Sequence, residues 1–255
     1  MKYLIKKKIE KLSGNAAIGH VRYSTAGGGG IMNVQPFLFR TLDGMMGIAH
    51  NGNIVNANLL KKELEENGSI FNSTSDTEVL GHLIKRETGR FVDRICKSLE
   101  KIDGAFAFVI LVEDALYVAR DRYGLRPLSM GRLPSGGYMF SSETCALDIA
   151  GAEYVRDVEP GEIIRVKDGI IKSKKYTETL PICNKLCAME YIYFSRPDSN
   201  LDGINVHTAR KTCGKTLFEE APVEADLVIG VPDSSISAAI GYSEEIGRAS
   251  CRERV

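Results

Sequence analysis

Three consecutive β-hairpin patterns between residues 105 and 176 constrain the fold of this chain more than any other feature of its sequence. Residues 105–121 (AFAFVILVEDALYVARD) are rich in β-branched and aromatic residues, and Glu113-Asp114 falls where a turn is expected. Residues 127–143 repeat the pattern around a Pro-Ser-Gly-Gly turn, and residues 161–176 repeat it around Asp168-Gly169. This part of the chain is therefore predicted to form antiparallel β-sheet.

A block of helices is predicted before the hairpins. Residues 54–67 have the apolar spacing of an amphipathic helix that stops at Gly68, and Ser75 is the predicted N-cap of a second helix. A third helix follows, because four apolar residues fall on one face of the helical repeat: Phe91, Ile95, Leu99 and Ile102.

Two short apolar runs, 16–23 and 45–50, precede the helices and are predicted to be buried strands that end in loops. Strands, then helices, then antiparallel strands indicate an α+β fold in which helices cover a stack of antiparallel sheets.

The character of the sequence changes near residue 180. Three segments predict in turn a helix, a buried strand and a helix: 204–221, 225–232 and 234–247. This order begins an α/β unit, so we predict a first domain at 1–179 and the start of a second at 180–247. Residues 248–255 (RASCRERV) are mostly polar where an apolar strand is expected, so we interpret them as a truncation scar or a non-native tail and leave them out of the fold prediction.

Charge and cysteine content indicate the general class of protein. Lys+Arg and Asp+Glu balance at 33 each, so bulk charge indicates neither a nucleic-acid nor a membrane partner. No run approaches the roughly 18 apolar residues of a transmembrane helix. The six cysteines are scattered, which favours reduced thiols and a soluble, cytoplasmic protein.

Polar residues at the ends of predicted elements form a candidate site. The guanidinium of Arg22 suits a carboxylate, and Asp76 can pair with an ammonium, so the two together complement an α-amino acid. Asn51 and the backbone N–H of Gly52 are suitable donors for an oxyanion formed in acyl transfer. Taken singly, these residues also suit a surface ion pair, a helix cap and a tight turn.

Several strings in this sequence resemble the glutaminase domain of the class II glutamine amidotransferases: GHVRYSTAGGGG, QPF, AHNGNIVNA and STSDTEVL. Others resemble the amidophosphoribosyltransferases within that group: DRYGLRPLSMG, SSETCALD, VEPGEI and CAMEYIYFSRPDS. The resemblance runs from about residue 15 to 247. It implies an N-terminal-nucleophile hydrolase sandwich of αββα layers, here incomplete, followed by the start of an α/β type I phosphoribosyltransferase domain.

The resemblance also implies roles for individual residues. Arg22 and Asp76 would bind the carboxylate and the amino group of glutamine, and Asn51 and Gly52 would form the oxyanion hole. The loop GVPDSS would meet pyrophosphate at a helix start through four residues: Pro232, Asp233, Ser234 and Ser235. A plain strand-to-helix turn with Ser234 or Ser235 as N-cap is the alternative.

The reaction implied for the parent protein is the first committed step of purine synthesis. Glutamine is hydrolysed through a thioester, and the released ammonia displaces pyrophosphate from 5-phosphoribosyl diphosphate, with Mg²⁺, giving 5-phosphoribosylamine. Cys187 falls where one subfamily supplies a ligand to an iron–sulfur cluster, so one [4Fe-4S] cluster is expected in a full-length protein of that kind. The family usually assembles into homo-oligomers.

Two parts that this reaction requires have no match in the sequence. The family uses an N-terminal Cys nucleophile, whereas this chain begins Met1-Lys2-Tyr3 and its first cysteine is Cys96. No acidic pair leads into a small-residue phosphate loop. We therefore expect a chain truncated at both ends and inactive by itself.

Two other functions are open. The glutaminase could serve a different acceptor, as in glucosamine-6-phosphate synthases or asparagine synthetases, although the string VIGVPDSS favours a phosphoribosyltransferase. Alternatively, the chain could be a non-catalytic module that keeps Arg22 and Asp76 and binds glutamine without hydrolysing it.

Overall fold

The structure is a computed structural model that describes residues 14–21, 30–41 and 44–251, apart from the side chains of Ala249 and Cys251. The chain divides into two compact units. The first unit comprises the described residues up to Gly104 together with Phe108–Ala119 and Ile163–Glu178. The second comprises Ala105–Ala107, Arg120–Glu162 and the chain from Thr179 onward.

The described part of the chain contains strands, α-helices and two shorter helical turns. In chain order the strands are β1 (Phe37–Thr41), β2 (Gly44–Ile54), β3 (Gly104–Val112), β4 (Ala115–Arg120), β5 (Ser129–Arg132), β6 (Tyr138–Ser141), β7 (Glu153–Asp157), β8 (Glu162–Lys167), β9 (Ile170–Lys175), β10 (Asn200–Leu201), β11 (Ile204–Asn205), β12 (Leu227–Ile229) and β13 (Ala249–Cys251). The α-helices are α1 (Ala57–Glu66), α2 (Thr77–Arg86), α3 (Phe91–Glu100), α4 (Thr144–Ile149), α5 (Val206–Glu220) and α6 (Ile236–Ile246). A 3₁₀ turn covers Ile31–Asn33 and a π-helical turn covers Glu190–Phe194.

A six-stranded sheet in the order β1-β2-β3-β4-β8-β9 carries most of the first unit. β1 pairs antiparallel with β2, and β4 pairs antiparallel with β8. The turn between β8 and β9 places Asp168 at φ 51° and Gly169 at φ 72°, the positive values that a two-residue hairpin turn of this kind needs. The hairpin patterns at 105–121 and 161–176 are thereby confirmed.

The three helices of the first unit are amphipathic, as their sequences predict. α2 packs against α1, α3, β1 and β2. The buried faces of the helices carry Leu60, Leu64, Leu80, Ile84, Ile95 and Leu99. These side chains and the buried strand residues Ile48, Phe108, Ile110 and Val118 form the apolar core of this unit.

A three-stranded antiparallel sheet in the order β6-β5-β7 lies in the second unit, with an irregularity in the β5–β7 register between Met130 and Gly131. Its hairpin at 127–143 was predicted correctly. The buried Arg120 holds the loop between β4 and β5, because its guanidinium donates to the carbonyl oxygens of Gly124, Arg126 and Val158 at 2.7–2.8 Å.

Close helix packing characterises the C-terminal part of the second unit. A Cβ atom on Gly214 of α5 would overlap the carbonyl oxygen of Ala238, and one on Gly241 of α6 would overlap the carbonyl oxygen of Lys211. The two backbones can approach each other this closely because neither position carries a side chain. β12, α6 and β13 follow one another, and β12 pairs with β13 in parallel, as expected at the start of an α/β unit.

Three local predictions are wrong. Residues 16–21 form no strand and are largely exposed, with Val21 97% exposed. The predicted buried strand at 225–232 shortens to β12, whose Leu227 and Ile229 are about half exposed. Ser75 is not the N-cap of α2, since that position falls on Asp76. The interpretation of residues 248–255 as a non-native tail stays a prediction, and residues 249–251 form β13.

The boundary at residue 179/180 stays a prediction. Within the described ranges, none of the helices has the length and apolar character that crossing a membrane requires.

Candidate functional site

The last residues of β2 form the centre of the candidate site. Asn51 and Gly52 are half-buried and belong to this strand, which continues to Ile54, beyond the predicted run 45–50. Gly52 has φ 150°, a backbone conformation that glycine adopts far more readily than other residues. A glycine is therefore required where the sequence predicts an oxyanion-hole N–H.

Gly104, at the start of β3, fixes the end of β2 from the other side. It has φ 138°, and a Cβ atom there would overlap the carbonyl oxygen of Asn53 and lie 3.0 Å from the Cα atom of Ile54. The neighbouring Val55 donates its N–H to the carbonyl of Asp103 at 2.8 Å. The two chain segments can meet here only because residue 104 has no side chain.

Asp76 lies beside the end of β2. One carboxylate oxygen, Oδ2, accepts a hydrogen bond from the backbone N–H of Ile54 at 2.8 Å. The other oxygen, Oδ1, lies 3.4 Å from the hydroxyl of Thr77 and 3.5 Å from that of Ser75. The side chain of Asp76 is 19% exposed. The shortest hydrogen bond of this carboxylate is on Oδ2, and Oδ1 makes only two long ones, so Oδ1 can accept an ammonium group in the role that the sequence predicts.

A buried polar network connects the start of α2 to β2. His50 Nδ1 lies 3.0 Å from the hydroxyl of Thr77 and 3.8 Å from Asp76 Oδ1. The Gln35 side chain accepts the backbone N–H of His50 at 2.7 Å and donates to the Thr77 hydroxyl at 3.3 Å. The imidazole of His50 stacks on Phe108, with ring centroids 4.3 Å apart. This network holds the strand end and the helix start in a fixed relation.

The loop before α2 is anchored at two points. Asn33 and Thr74 exchange two hydrogen bonds, at 2.9 and 3.1 Å. The buried carboxylate of Glu78 accepts from the backbone N–H groups of Asn72 and Ser73 and from the Ser73 hydroxyl at 2.6–2.9 Å. The loop that carries Asp76 is thus fixed by side chains on both of its flanks.

The structure brings together three of the four predicted glutamine-site residues: Asn51, Gly52 and Asp76 lie at the end of β2 and the start of α2. Arg22 lies outside the described residues. Sequence reasoning included His50 and Thr77 in the candidate cluster without giving them a role, and it missed Gln35 and Gly104 as members of this region. The strings QPF and AHNGN contain Gln35 and His50, but only the fold shows that their side chains meet at β2.

Two cysteines, Cys96 and Cys145, are buried rather than poised as nucleophiles. Cys96 lies on α3, and burial raises the pKa of its thiol. Burial likewise raises the pKa of Cys145 on α4. Neither thiol is a stand-in for the N-terminal nucleophile that the resemblance implies, because thiolate formation is disfavoured at both positions.

The predicted pyrophosphate loop connects β12 to α6. Pro232 and Asp233 are exposed and joined by a cis peptide bond, whereas Ser234 and Ser235 are half-buried. Ser235 occupies the N-cap position of α6, yet its hydroxyl donates to the carbonyl of Val231 instead of capping the helix. The side-chain cap that was the alternative interpretation is therefore not formed by Ser235.

Cys187 is half-buried, and its backbone N–H donates to the carbonyl of Leu125 at 3.4 Å. Among the described residues, no group of three or more His, Cys, Asp and Glu side chains could hold a metal ion. A [4Fe-4S] cluster needs four thiolates, so the residues around Cys187 do not fit one by themselves.

The segment that resembles the amidophosphoribosyltransferases most specifically is held by charged groups within the second unit. The buried Glu190 receives a hydrogen bond from Arg126 at 2.7 Å and one from the Ser195 hydroxyl at 3.0 Å. The Glu143 carboxylate accepts the backbone N–H of Arg196 at 2.7 Å. The strings DRYGLRPLSMG, SSETCALD and CAMEYIYFSRPDS thus meet through hydrogen bonds that the side chains of Arg126, Glu190 and Glu143 make.

Comparisons with known proteins show what this chain is similar to. A family model described as a glutamine amidotransferase domain matches residues 24–148, which include Asn51, Gly52 and Asp76. The amidophosphoribosyltransferase of Bacillus subtilis (strain 168) is 57% identical over 94% of this chain and 50% of its own length. The amidophosphoribosyltransferase of Staphylococcus aureus (strain Mu50) is 51% identical over 94% of this chain and 49% of its own length. The chain belongs to the amidophosphoribosyltransferase family.

Solved structures of this family have the same fold. A structure described as the allosteric regulatory enzyme of purine biosynthesis superimposes with a TM-score of 0.86 at 56% identity, covering 91% of this chain and 50% of its own. The structure of the Bacillus subtilis glutamine phosphoribosylpyrophosphate amidotransferase, complexed with ADP and GMP, also superimposes with a TM-score of 0.86. Its sequence identity is 54%, and the match covers 91% of this chain and 50% of that structure's chain. The predicted fold class is confirmed, and the chain spans about half the length of the relatives it matches.

Proposed function

We propose that this chain carries the glutamine-binding part of an amidophosphoribosyltransferase and the beginning of its phosphoribosyltransferase part. The whole protein would hydrolyse glutamine and transfer the ammonia to 5-phosphoribosyl diphosphate, giving 5-phosphoribosylamine for purine synthesis. The observation that carries this proposal is the position of the Asp76 carboxylate beside the strand end that contains Asn51 and Gly52. The identity to amidophosphoribosyltransferases over 94% of the chain supports it.

The proposed hydrolysis assigns one task to each group. Asp76 binds the α-ammonium of glutamine, and Arg22 binds its carboxylate. When a thiol attacks the side-chain amide, negative charge develops on the amide oxygen, and the Asn51 side chain and the Gly52 N–H stabilise it as hydrogen-bond donors. The resemblance implies an N-terminal cysteine as that nucleophile.

The remaining parts of the proposal concern the whole protein. Residues 232–235 would receive pyrophosphate, with Mg²⁺ neutralising its charge, and Cys187 would contribute one of four thiolates to an iron–sulfur cluster. A homo-oligomer in the cytoplasm is expected from the family. The interpretation as a glucosamine-6-phosphate synthase-like enzyme is not favoured by the relatives at 51–57% identity.

The Asp76→Asn substitution tests the proposed site. Asparagine can still accept the Ile54 N–H through its carbonyl oxygen, but it cannot pair with an ammonium. We expect glutamine to bind the chain about 10- to 100-fold more weakly, as measured by isothermal titration calorimetry. Asp114→Asn, which removes an exposed carboxylate paired with Lys167 on a hairpin turn, is the control and should leave the affinity unchanged.

A genetic experiment tests the whole-protein reaction. The complete gene should restore growth without added purine to a strain that lacks its own amidophosphoribosyltransferase, and the Asp76→Asn gene should not restore glutamine-dependent growth. Glutamine binding without complementation by the complete gene would instead favour the non-catalytic glutamine-binding module. Unchanged binding in Asp76→Asn would contradict the proposed site itself.

A further inference from the structure

Gln35 lies where the pairing of β1 with β2 stops. The described pairing begins with Phe37 opposite Ile48, and extending the same antiparallel register by two residues puts Gln35 opposite His50. The residue between Gln35 and Phe37 is Pro36, which has no N–H to donate to a strand ladder. A side chain from this segment can therefore take the place that a strand backbone occupies further along β2.

The amide group of Gln35 bonds to β2 at one end and to α2 at the other. Its Oε1 atom accepts the backbone N–H of His50 at 2.7 Å, and its Nε2 atom donates to the hydroxyl of Thr77 at 3.3 Å. Thr77 is fully buried, and Gln35 is half-buried. One amide group thus connects the strand that carries Gly52 to the helix start beside Asp76.

The backbone of His50 is held on its carbonyl side as well. His20 Nε2 lies 3.0 Å from the carbonyl oxygen of His50, and because a carbonyl only accepts, Nε2 carries the proton of this hydrogen bond. The N–H of His50 is therefore bonded to the side chain of Gln35, and its C=O to the side chain of His20. Gly52 lies two residues further along the same strand, so a shift of the His50 backbone reaches it through one intervening residue.

The position of the Asp76 carboxylate depends less on Gln35. Its Oδ2 atom accepts the backbone N–H of Ile54 at 2.8 Å, and the loop before it is fixed by the carboxylate of Glu78, which accepts two hydrogen bonds from Ser73. Removing the Gln35 amide leaves all of these hydrogen bonds in place. Its loss should therefore displace the predicted oxyanion donor more than the predicted acceptor of the ammonium group.

We propose that Gln35 is a positioning residue for glutamine hydrolysis, because its amide fixes the His50 peptide and thereby aims the Gly52 N–H at the oxyanion. This inference rests on the proposed function, since it gives Gln35 a part in that reaction. Negative charge develops on the glutamine amide oxygen only in the transition state. A displaced donor therefore lowers kcat and leaves the binding of ground-state glutamine almost unchanged.

Steady-state kinetics of the protein encoded by the complete gene test this assignment, with Gln35→Met as the main variant. Methionine has a similar length but no amide, so it removes both hydrogen bonds without leaving a large cavity. We expect kcat for glutamine hydrolysis to fall about 10- to 100-fold, with KM changed by less than about threefold. Added ammonium chloride bypasses hydrolysis, so the formation of 5-phosphoribosylamine from it should be unchanged, which would show that the variant is folded.

Two further variants complete the experiment. Gln35→Glu keeps an acceptor for the His50 N–H but cannot donate to the Thr77 hydroxyl, so its kcat should lie between those of the native protein and Gln35→Met. Asn67→Ala is the matched control, because it removes an exposed side-chain amide that bonds to the Glu63 carbonyl at the end of α1. It should leave both kcat and KM unchanged.

The possible results distinguish this inference from the proposed function. A native protein that forms 5-phosphoribosylamine from neither glutamine nor ammonia would overturn the proposed function, and the inference with it. If the native protein is active, the role of Gln35 is wrong when Gln35→Met keeps its kcat, when KM rises instead, or when the activity with ammonia falls equally. It is also wrong when Gln35→Glu is no faster than Gln35→Met. The proposed function stands in each of these last four cases.

Discussion

Gly104 shows how much one position contributes to the candidate site. Its φ of 138° and the overlap that a Cβ atom would make with Asn53 are separate constraints. Gly68, just past α1, has φ 84° but open space around a Cβ atom. The two glycines therefore separate the effect of backbone conformation from the effect of close contact.

The Gly104→Ala substitution should lower the free energy of unfolding by about 2–4 kcal/mol, because a conformational cost and an overlap act together. Gly68→Ala should cost only about 1 kcal/mol. Urea denaturation of both variants measures the difference. Equal losses would show that the backbone at Asn53 moves easily out of the way. Glutamine binding should also weaken in Gly104→Ala, since the end of β2 would be displaced.

His82 makes the stability of the first unit depend on pH. Its folded-state pKa is lowered, chiefly by burial, so the unfolded chain binds the proton more tightly than the folded chain. The contribution of neutral His82 is therefore complete above the unfolded pKa of about 6.5 and is lost as the pH falls through the lowered folded pKa.

Unfolding measured from about pH 7.5 to about pH 5 should consequently show a steeper loss of stability in the native sequence than in His82→Gln. The substitution also changes packing, but that effect is constant with pH. The slope of stability against pH is thus the informative quantity, and parallel curves for the two proteins would contradict the assignment.

Within the second unit, a bidentate ion pair joins Arg156 to Glu162. Arg156 donates to both carboxylate oxygens of Glu162 at 2.7 and 2.8 Å, and Glu162 also accepts the backbone N–H of Glu159 at 2.8 Å. Glu162 is buried, whereas the Arg156 side chain is 36% exposed. The hydrogen bond to Glu162 raises the pKa of Arg156, so the arginine stays charged.

Replacing Glu162 with Gln should cost about 1–3 kcal/mol, because it leaves a half-buried guanidinium with a weaker acceptor. Glu153→Gln removes an exposed carboxylate from β7 and should change stability by less than about 0.5 kcal/mol. Thermal unfolding of the two variants compares them. A loss in Glu162→Gln no larger than in the control would mean that the pair is fully screened.

The contact between α2 and β1 depends on Gly81 in a different way. Alanine usually stabilises a helix interior by about 1 kcal/mol relative to glycine. At Gly81, however, the added Cβ atom would overlap the Phe39 ring, and overpacking of this kind costs about 1–3 kcal/mol. Gly81→Ala should therefore destabilise the chain, and Phe39→Val in the same protein should recover part of the loss. Additive effects in this double-mutant cycle would contradict direct contact.

Elements with a strong local pattern were predictable from sequence. The three hairpins carry their own turn residues, and α1 to α3 carry complete apolar faces, so neither needs distant information. Asn51, Gly52 and Asp76 could be proposed as site residues from sequence because the chemistry that suggests them is local. Gln35 and Gly104 were missed because their importance arises from residues 15 or more positions away that only the fold brings near.

The wrong predictions concern burial, which depends on what packs against a segment. Residues 16–21 and the strand residues Leu227 and Ile229 are apolar enough for buried strands. In the described structure, however, residues 16–21 are largely exposed, and Leu227 and Ile229 are about half exposed. Parallel strands are usually covered on both faces. β12 pairs with β13 alone among the described strands, and the chain spans about half the length of its relatives.

The hydrogen bond from Ile54 to Asp76 has a thermodynamic consequence. Because Oδ2 is fixed to the backbone of β2 at 2.8 Å, rotation of the Asp76 carboxylate is restricted before any ligand arrives. An ammonium group that reaches Oδ1 then meets an oriented acceptor. The rotational entropy of this side chain is lost when the protein folds. It is not lost again on binding, so this entropy cost is not subtracted from the free energy that the ammonium–carboxylate contact contributes to binding.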